Sequence, residues 1–223
     1  MKEIALVLFS KTPGYSPIKT RLAKDIGSDF AEEIFSKSVE VTKKLIKSIS
    51  VKNTKIDLVF ALAERELPAH PLWKDEEILY QGDGELGDKL NYVYSLLLEK
   101  YDGVIFMGGD SPHIEKEQII LAIKKMEDSI ILGPSEDGGF YLFAGSQVID
   151  QKNWEQVEYS SHKTCQQLAQ NLSEVHKINY IKNSFDIDKF SDLENYKTIN
   201  KEKLSQDQLS FIDWVLNNFL TNK

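Results

Sequence analysis

The sequence predicts an α/β fold built on a largely parallel sheet. Two observations carry this: segments of strand and helix periodicity alternate from the first residues onward, and the run Ile4-Ala-Leu-Val-Leu-Phe9 is apolar at every position, as a strand covered on both faces must be. After a loop, Asp29 followed by Glu32 has the spacing of a helix start, and Phe30, Ile34, Val41, Leu45 and Ile49 continue at helical spacing to about residue 49. Residues 56–62 read as the second strand. Residues 68–73, broken by two prolines, read as a surface connection, and residues 78–80 as a short strand. A helix over 86–99 follows, then a buried strand over 104–107. The next helix carries Ile119, Ile120, Ile123 and Met126 on one face, and strands over 130–132 and 140–144 come after it. Beyond residue 150 the pattern weakens to a connection holding Trp154, a helix over 162–172, a strand over 175–178, and a last helix with Leu209, Ile212, Leu216 and Phe219 on one face. No internal repeat and no Gly/Ser/Pro linker divides the chain, so a single domain spanning residues 1–223 is expected.

Composition narrows the function. With 223 residues, 41% hydrophobic and 28% charged, the chain can bury a full core without staples. Its 27 basic and 35 acidic residues give a net charge of −8 with no basic block, which argues against a nucleic-acid partner. The lone Cys165 cannot form an internal disulfide, and the four histidines never fall into a paired zinc spacing. No stretch has the length of a signal-peptide core or a membrane span, so a cytoplasmic location and no membrane partner are expected.

Chemistry concentrates in polar, Gly/Pro-marked stretches just after strands, where open α/β sheets bind their ligands. The first, residues 9–22, carries Lys11, Lys19 and Arg21 in an otherwise acidic chain, a set suited to a phosphate ester, with a solvated turn as the alternative. It is not a Walker A loop, because Ile18 stands where the second glycine belongs. The second holds Gly82, Gly84 and Gly87 at GxGxxG spacing. Its place in mid-chain, after a short strand, argues against a dinucleotide fingerprint and for either a close backbone approach to a ligand or a structural turn. In the third, Asp110 stands past the end of a buried strand, placed to hold Mg²⁺ or Mn²⁺ or else to cap the following helix. The fourth sets Glu136 and Asp137 before Gly138 and Gly139, a base or acceptor contact on an open loop, or an acidic hairpin. Asp186-Ile-Asp188 adds two carboxylates on one face if extended, with helix capping as the competing role. His162 and Cys165 read as helix packing, and Trp154 as core or as the wall of an acceptor pocket.

Taken in order, Phe9 to Leu22 with its Lys-Thr-Arg-Leu ending, Gln81 to Leu90, Gly108-Gly-Asp-Ser-Pro112 and Gly133-Pro-Ser-Glu-Asp-Gly-Gly-Phe-Tyr141 resemble a small bacterial family described as arsenosugar-biosynthesis glycosyltransferases, within the GT-A nucleotide-diphospho-sugar transferase superfamily. The resemblance covers residues 1 to about 195 and implies a Rossmann-like GT-A sheet. It implies a first loop that wraps the nucleotide and a divalent metal on Asp110; to this the reading of the residues adds Lys11, Lys19, Arg21, Gly82, Gly84 and Gly87 for the nucleotide and its phosphates, Asp188 as a second metal ligand, and catalysis by Asp110 and Asp137. An acceptor pocket at Glu136, Gly138 and Gly139 completes the set. The implied activity is metal-dependent transfer of a sugar from a nucleotide-diphosphate sugar to a small acceptor. The alternatives are nucleotidyl transfer from a nucleoside triphosphate to a phosphorylated small molecule, or a non-catalytic nucleotide-binding module. The chain departs from the family pattern at Ser16, Lys89 and His113, where glycine, arginine and an acid are usual.

Overall fold

In the computed structural model, which describes residues 1–220, a seven-stranded sheet carries helices on both faces. The strands are β1 (Lys2–Ser10), β2 (Thr54–Leu62), β3 (Glu77–Tyr80), β4 (Gly103–Gly108), β5 (Ile130–Pro134), β6 (Phe140–Gly145) and β7 (Ile178–Tyr180), arranged 3-2-1-4-6-5-7. All neighbours pair in parallel except those of β6, which runs against both β4 and β5. The helices are α1 (Thr20–Ile26), α2 (Ser28–Lys47), α3 (Leu86–Leu98), α4 (Lys116–Lys125), α5 (Gln151–Glu155), α6 (Thr164–Ser173) and α7 (Gln206–Val215), with 3₁₀ turns at Pro71–Trp73 and Phe190–Lys197.

The apolar run of β1 is buried on both faces because alternate side chains serve different cores. Ile4, Leu6 and Leu8 pack with Phe35 and Val39 of α2 and Ile119 and Ile123 of α4. Ala5 and Val7 pack with Val93 and Leu97 of α3, Trp154 of α5 and Leu168 of α6. A third apolar cluster seats α7 against α1 and α2 through Leu22, Ile34, Ile212 and Val215. No described helix is long and apolar enough to cross a membrane.

Several elements differ from the sequence expectation for physical reasons. The short helix α1 escapes periodicity because it has only seven residues, and its start depends on Lys19 adopting a left-handed conformation with φ 46°. Asp29 does not cap α2: the helix begins at Ser28, and Gly27 joins it to α1 with no side-chain cap. The segment over 68–73 is anchored rather than superficial, since Leu72 and Trp73 are buried and the Trp73 indole donates to the Pro68 carbonyl at 2.9 Å. Trp154 lies on a helix, fully buried against Tyr94, Phe106 and Phe143, so it is core and not pocket wall. The strand expected over 175–178 forms later, at Ile178–Tyr180, because the backbone amides of Val175 and His176 turn back onto the Leu172 carbonyl and leave Val175 exposed. After Val215 the last helix widens into a π turn over Leu216–Leu220.

Candidate functional site

The chain reverses its direction of travel across the sheet between β1 and β4, so the loops leaving their carboxyl ends splay apart and open a crevice. The loop after β1 delivers Lys19, the first turn of α1 delivers Arg21, and the loop after β4 delivers Asp110. Because β6 is antiparallel, the turn before it, with Asp137, reaches the same end of the sheet. The segment after β7 returns to this end: its Phe185 carbonyl accepts from Ser111 Oγ at 3.0 Å, and its Ile187 amide donates to the Asp110 carbonyl at 3.1 Å. Asp186 and Asp188 arrive with it.

Five charged groups meet here across long sequence separations. Lys19 Nζ donates to Asp110 Oδ2 at 2.5 Å, with the two side chains only 12% and 27% exposed. Arg21 donates to Asp188 Oδ2 at 2.7 Å, and Ser135 Oγ to Asp186 Oδ1 at 2.7 Å. Burial works against the charge on Lys19, but Asp110, reinforced by Asp186 and Asp188, holds its ammonium above the usual lysine range. Asp186 moves the other way: burial and the nearby Asp110 charge push its carboxyl up to about 6. The site is therefore an acidic nest closed by two tethered cations, Lys19 on the inside and the more exposed Arg21. Lys11, by contrast, is exposed and pairs with no described carboxylate.

Below Asp110 the support is dense. His113 is buried, stacked on Phe185 at 3.8 Å between ring centroids, with its ring nitrogens 3.2 Å from the Tyr196 hydroxyl and 3.1 Å from Ser184 Oγ. Gln208 of α7 donates to the carbonyls of Pro112 at 2.8 Å and Ile114 at 2.9 Å. The first loop is pinned by Glu64, which accepts from the Thr12 amide at 3.1 Å and the Thr12 hydroxyl at 2.8 Å. Burial raises the Glu64 carboxyl, but hydrogen bonds from Ser16 and Thr12 outweigh it and leave the group lowered.

Beside this nest a cavity of about 270 Å³ is lined by Phe9, Leu90, Phe106, Phe140 and Tyr159, with Asp137 among its few polar groups. Asp137 also acts electrostatically on Asp186 and Arg21, so it stands between cavity and nest. One of its oxygens accepts from the Gly139 amide at 2.8 Å. Glu136, adjacent in sequence, faces away and lines a separate cavity of about 140 Å³ with His113 and Lys182. Gly138 has φ +91°, and a side chain there would overlap the His162 carbonyl, so it serves the turn and its packing against the start of α6. The three glycines of the second stretch lie away from the nest. Gly82 and Gly84 turn the chain into α3, and Gly87 lies 2.7 Å, as measured to an added Cβ, from the Trp154 carbonyl. Lys89 sits on α3 itself. Cys165 is buried on α6, while His162 is exposed just before it.

Sequence reasoning thus singled out Lys19, Arg21, Asp110, Asp137 and Asp188, which the fold brings to one end of the sheet. It missed Glu64 and Ser135. Glu64 carries the signal that was used elsewhere, a polar residue just past the end of a strand, here β2. Among the described residues no group of three or more His, Cys, Asp and Glu side chains is gathered closely enough to hold a metal ion. The donor chemistry nevertheless suits a hard cation, since Mg²⁺ is commonly held by one or two carboxylates plus substrate phosphates.

The fold is that of nucleotide-diphospho-sugar transferases. It matches a protein from Desulfovibrio desulfuricans G20 provisionally described as such a transferase, with TM-score 0.78 and 18% identity over 98% of this chain and 99% of that one. It also matches CMP:2-keto-3-deoxy-manno-octonic acid synthetase complexed with CTP, with TM-score 0.51 and 14% identity over 91% of this chain and 100% of that one. A third match is 4-diphosphocytidyl-2C-methyl-D-erythritol synthase from Anaerococcus prevotii DSM 20548, with TM-score 0.52 and 11% identity over 96% of each chain. At such identities the likeness is one of fold. No curated protein matches the chain in sequence. The profile of a family of uncharacterized proteins conserved in bacteria, DUF2064, matches residues 47–161, slightly more than half of the 223 residues and including Asp110 and Asp137, and the chain belongs to that family.

Proposed function

We propose that the protein is a single-domain transferase that moves a sugar from a nucleotide-diphosphate sugar to a small acceptor, with the diphosphate at the β1/β4 crevice and the acceptor beside Asp137. The observation that supports this best is the acidic nest around Lys19, placed at the switch point of the sheet and joined through Asp137 to an apolar cavity. The four motifs in order, with their resemblance to arsenosugar-biosynthesis glycosyltransferases, favour glycosyl transfer within this class.

In this reading Lys11, Lys19 and Arg21 neutralise the diphosphate, Lys19 and Arg21 exchanging their carboxylate partners for phosphate oxygens. Asp110 and Asp188 would hold a Mg²⁺ or Mn²⁺ ion, whose bound charge would stabilise the departing nucleoside diphosphate. Asp137 orients the acceptor hydroxyl and takes its proton as the oxygen bonds to the sugar carbon and the sugar–phosphate bond breaks. Glu64 and Ser16 keep the first loop in place for this exchange.

A thermal-shift screen of UDP-, GDP- and dTDP-sugars with and without Mn²⁺ tests the donor site, because a ligand bound only by the native state raises the melting temperature. A hit is followed by mass detection of the glycosylated acceptor. Asp110→Ala is expected to lower metal-dependent turnover roughly a hundredfold or more with the fold intact. Unchanged turnover removes Asp110 from the chemistry, and pyrophosphate release from a nucleoside triphosphate with a phosphorylated acceptor would move the reaction to nucleotidyl transfer.

A further inference from the structure

We propose that the cavity beside Asp137 receives an acceptor whose hydroxyl is carried on a compact, uncharged apolar body, an aliphatic or aromatic ring rather than a phosphorylated or carboxylated group. This rests on the glycosyl-transfer reading above and names the class of its acceptor.

Size comes first. At about 270 Å³ the cavity lies at the lower edge of small-molecule sites, which run from about 300 to 1,000 Å³, so it holds a fragment-sized body. Its walls come from the ends of β1 and β4, the start of β6, the first turns of α3 and the segment before α6, and the large side chains they contribute are apolar or aromatic. Phe9 and Phe106 meet edge to face with centroids 5.2 Å apart, a rigid wall against which a ring can lie.

Charge comes next. No lysine or arginine lines the cavity, and its one carboxylate is Asp137. In the adjoining nest, Lys19 and Arg21 are engaged with Asp110 and Asp188. An anionic acceptor would lose its hydration against apolar walls and face a carboxylate with no counter-charge, a double penalty. A neutral alcohol buries its apolar body and offers a proton to the Asp137 oxygen that Gly139 leaves free. Of the hydroxyls in the wall, that of Thr164 is held by the carbonyls of Glu158 and Ser161, both at 2.8 Å, and that of Tyr159 by the Trp154 carbonyl at 3.0 Å, so polar contacts to the acceptor fall to Asp137 and the small side chains of Ser160 and Ser161.

The test uses benzyl alcohol, benzoate and phenyl phosphate as probes, with binding followed by saturation-transfer NMR. Leu86 lines the cavity yet is 41% exposed, so Leu86→Lys places a cation at the site without emptying the core. Benzyl alcohol is expected to bind on the order of millimolar, roughly tenfold tighter than either anion, and Leu86→Lys should reverse that preference. Phenyl phosphate binding the unsubstituted protein as well as benzyl alcohol does, or a preference that Leu86→Lys leaves unmoved, overturns the inference. Donor binding separates the two failures: a stabilising sugar nucleotide with no bound alcohol sinks the acceptor class alone, whereas no shift with any sugar nucleotide sinks the transfer reading on which it stands.

Discussion

Lys19 is the residue on which the site turns. Its left-handed backbone and its bond to Asp110, 91 residues away, make an internal cation the default partner of the acidic nest. Lys19→Met leaves Asp110 without its cation beside Asp186, and a loss of about 1–3 kcal/mol is expected in urea unfolding, the pair being partly exposed. The same variant should bind Mn²⁺ more tightly in a paramagnetic-resonance titration, because the competing ammonium is gone. A second residue-scale prediction concerns His113, whose burial, against the pull of Asp110, lowers its pKa to about 3. In the unfolded chain it titrates near 6.5, so as pH falls through that window the unfolded state takes up the proton first. Stability from this group is then lost at up to about 1.4 kcal/mol per pH unit. Asp186, with its raised carboxyl, acts in the opposite sense between about 6 and its unfolded value, so the readout is a difference. His113→Gln should lose the acid-side slope relative to the parent when urea midpoints at pH 4.5 and 7 are compared. The sequence made Lys19 and Asp110 visible as loop residues of the right chemistry. It could not reveal that they neutralise each other, because a pairing across 91 residues is a property of topology.

At the scale of elements, the site depends on pieces that periodicity reads poorly. The turn before β6 requires Gly138: at φ +91°, and with the His162 backbone filling the space of a side chain, Gly138→Ala is expected to cost about 2–4 kcal/mol and to displace the 160–165 segment. Proteolysis within that segment, compared with the parent, reads the displacement. Helix α7 lies outside the matched 47–161 region, yet through Gln208 it holds the backbone just past Asp110. Gln208→Leu removes two buried hydrogen bonds, and a stability loss of about 1–3 kcal/mol is expected, with loosened exchange protection of the loop after β4. Strands β1, β4, β5 and β6 were legible because each is a continuous apolar run. Helix α1 and the Pro71–Trp73 turn were not, since they are shorter than the period that would announce them.

Seen whole, the molecule packs three apolar clusters, and each holds one tryptophan: Trp73 in the first, Trp154 in the second, and Trp214 against the third. If the chain is a single cooperative unit, three variants that each retain one tryptophan should report the same urea midpoint by fluorescence. Separate midpoints would divide the chain into independently stable parts. The α/β class was legible in the alternation of elements, but the strand order 3-2-1-4-6-5-7 was not, because nothing local marks β6 as the strand that slots in backwards. That reversal has an outcome for how the scaffold can change over generations. Between Pro134 and Phe140 the chain turns in place instead of crossing the sheet, so insertions there need no rethreading, and each doubling of the turn's length adds only about 0.6 kcal/mol of closure cost. In the proposed transfer reaction, acceptor choice can therefore change through residues added beside Asp137 and Gly138 in this one turn, while the strands proposed to carry the phosphate end stay as they are.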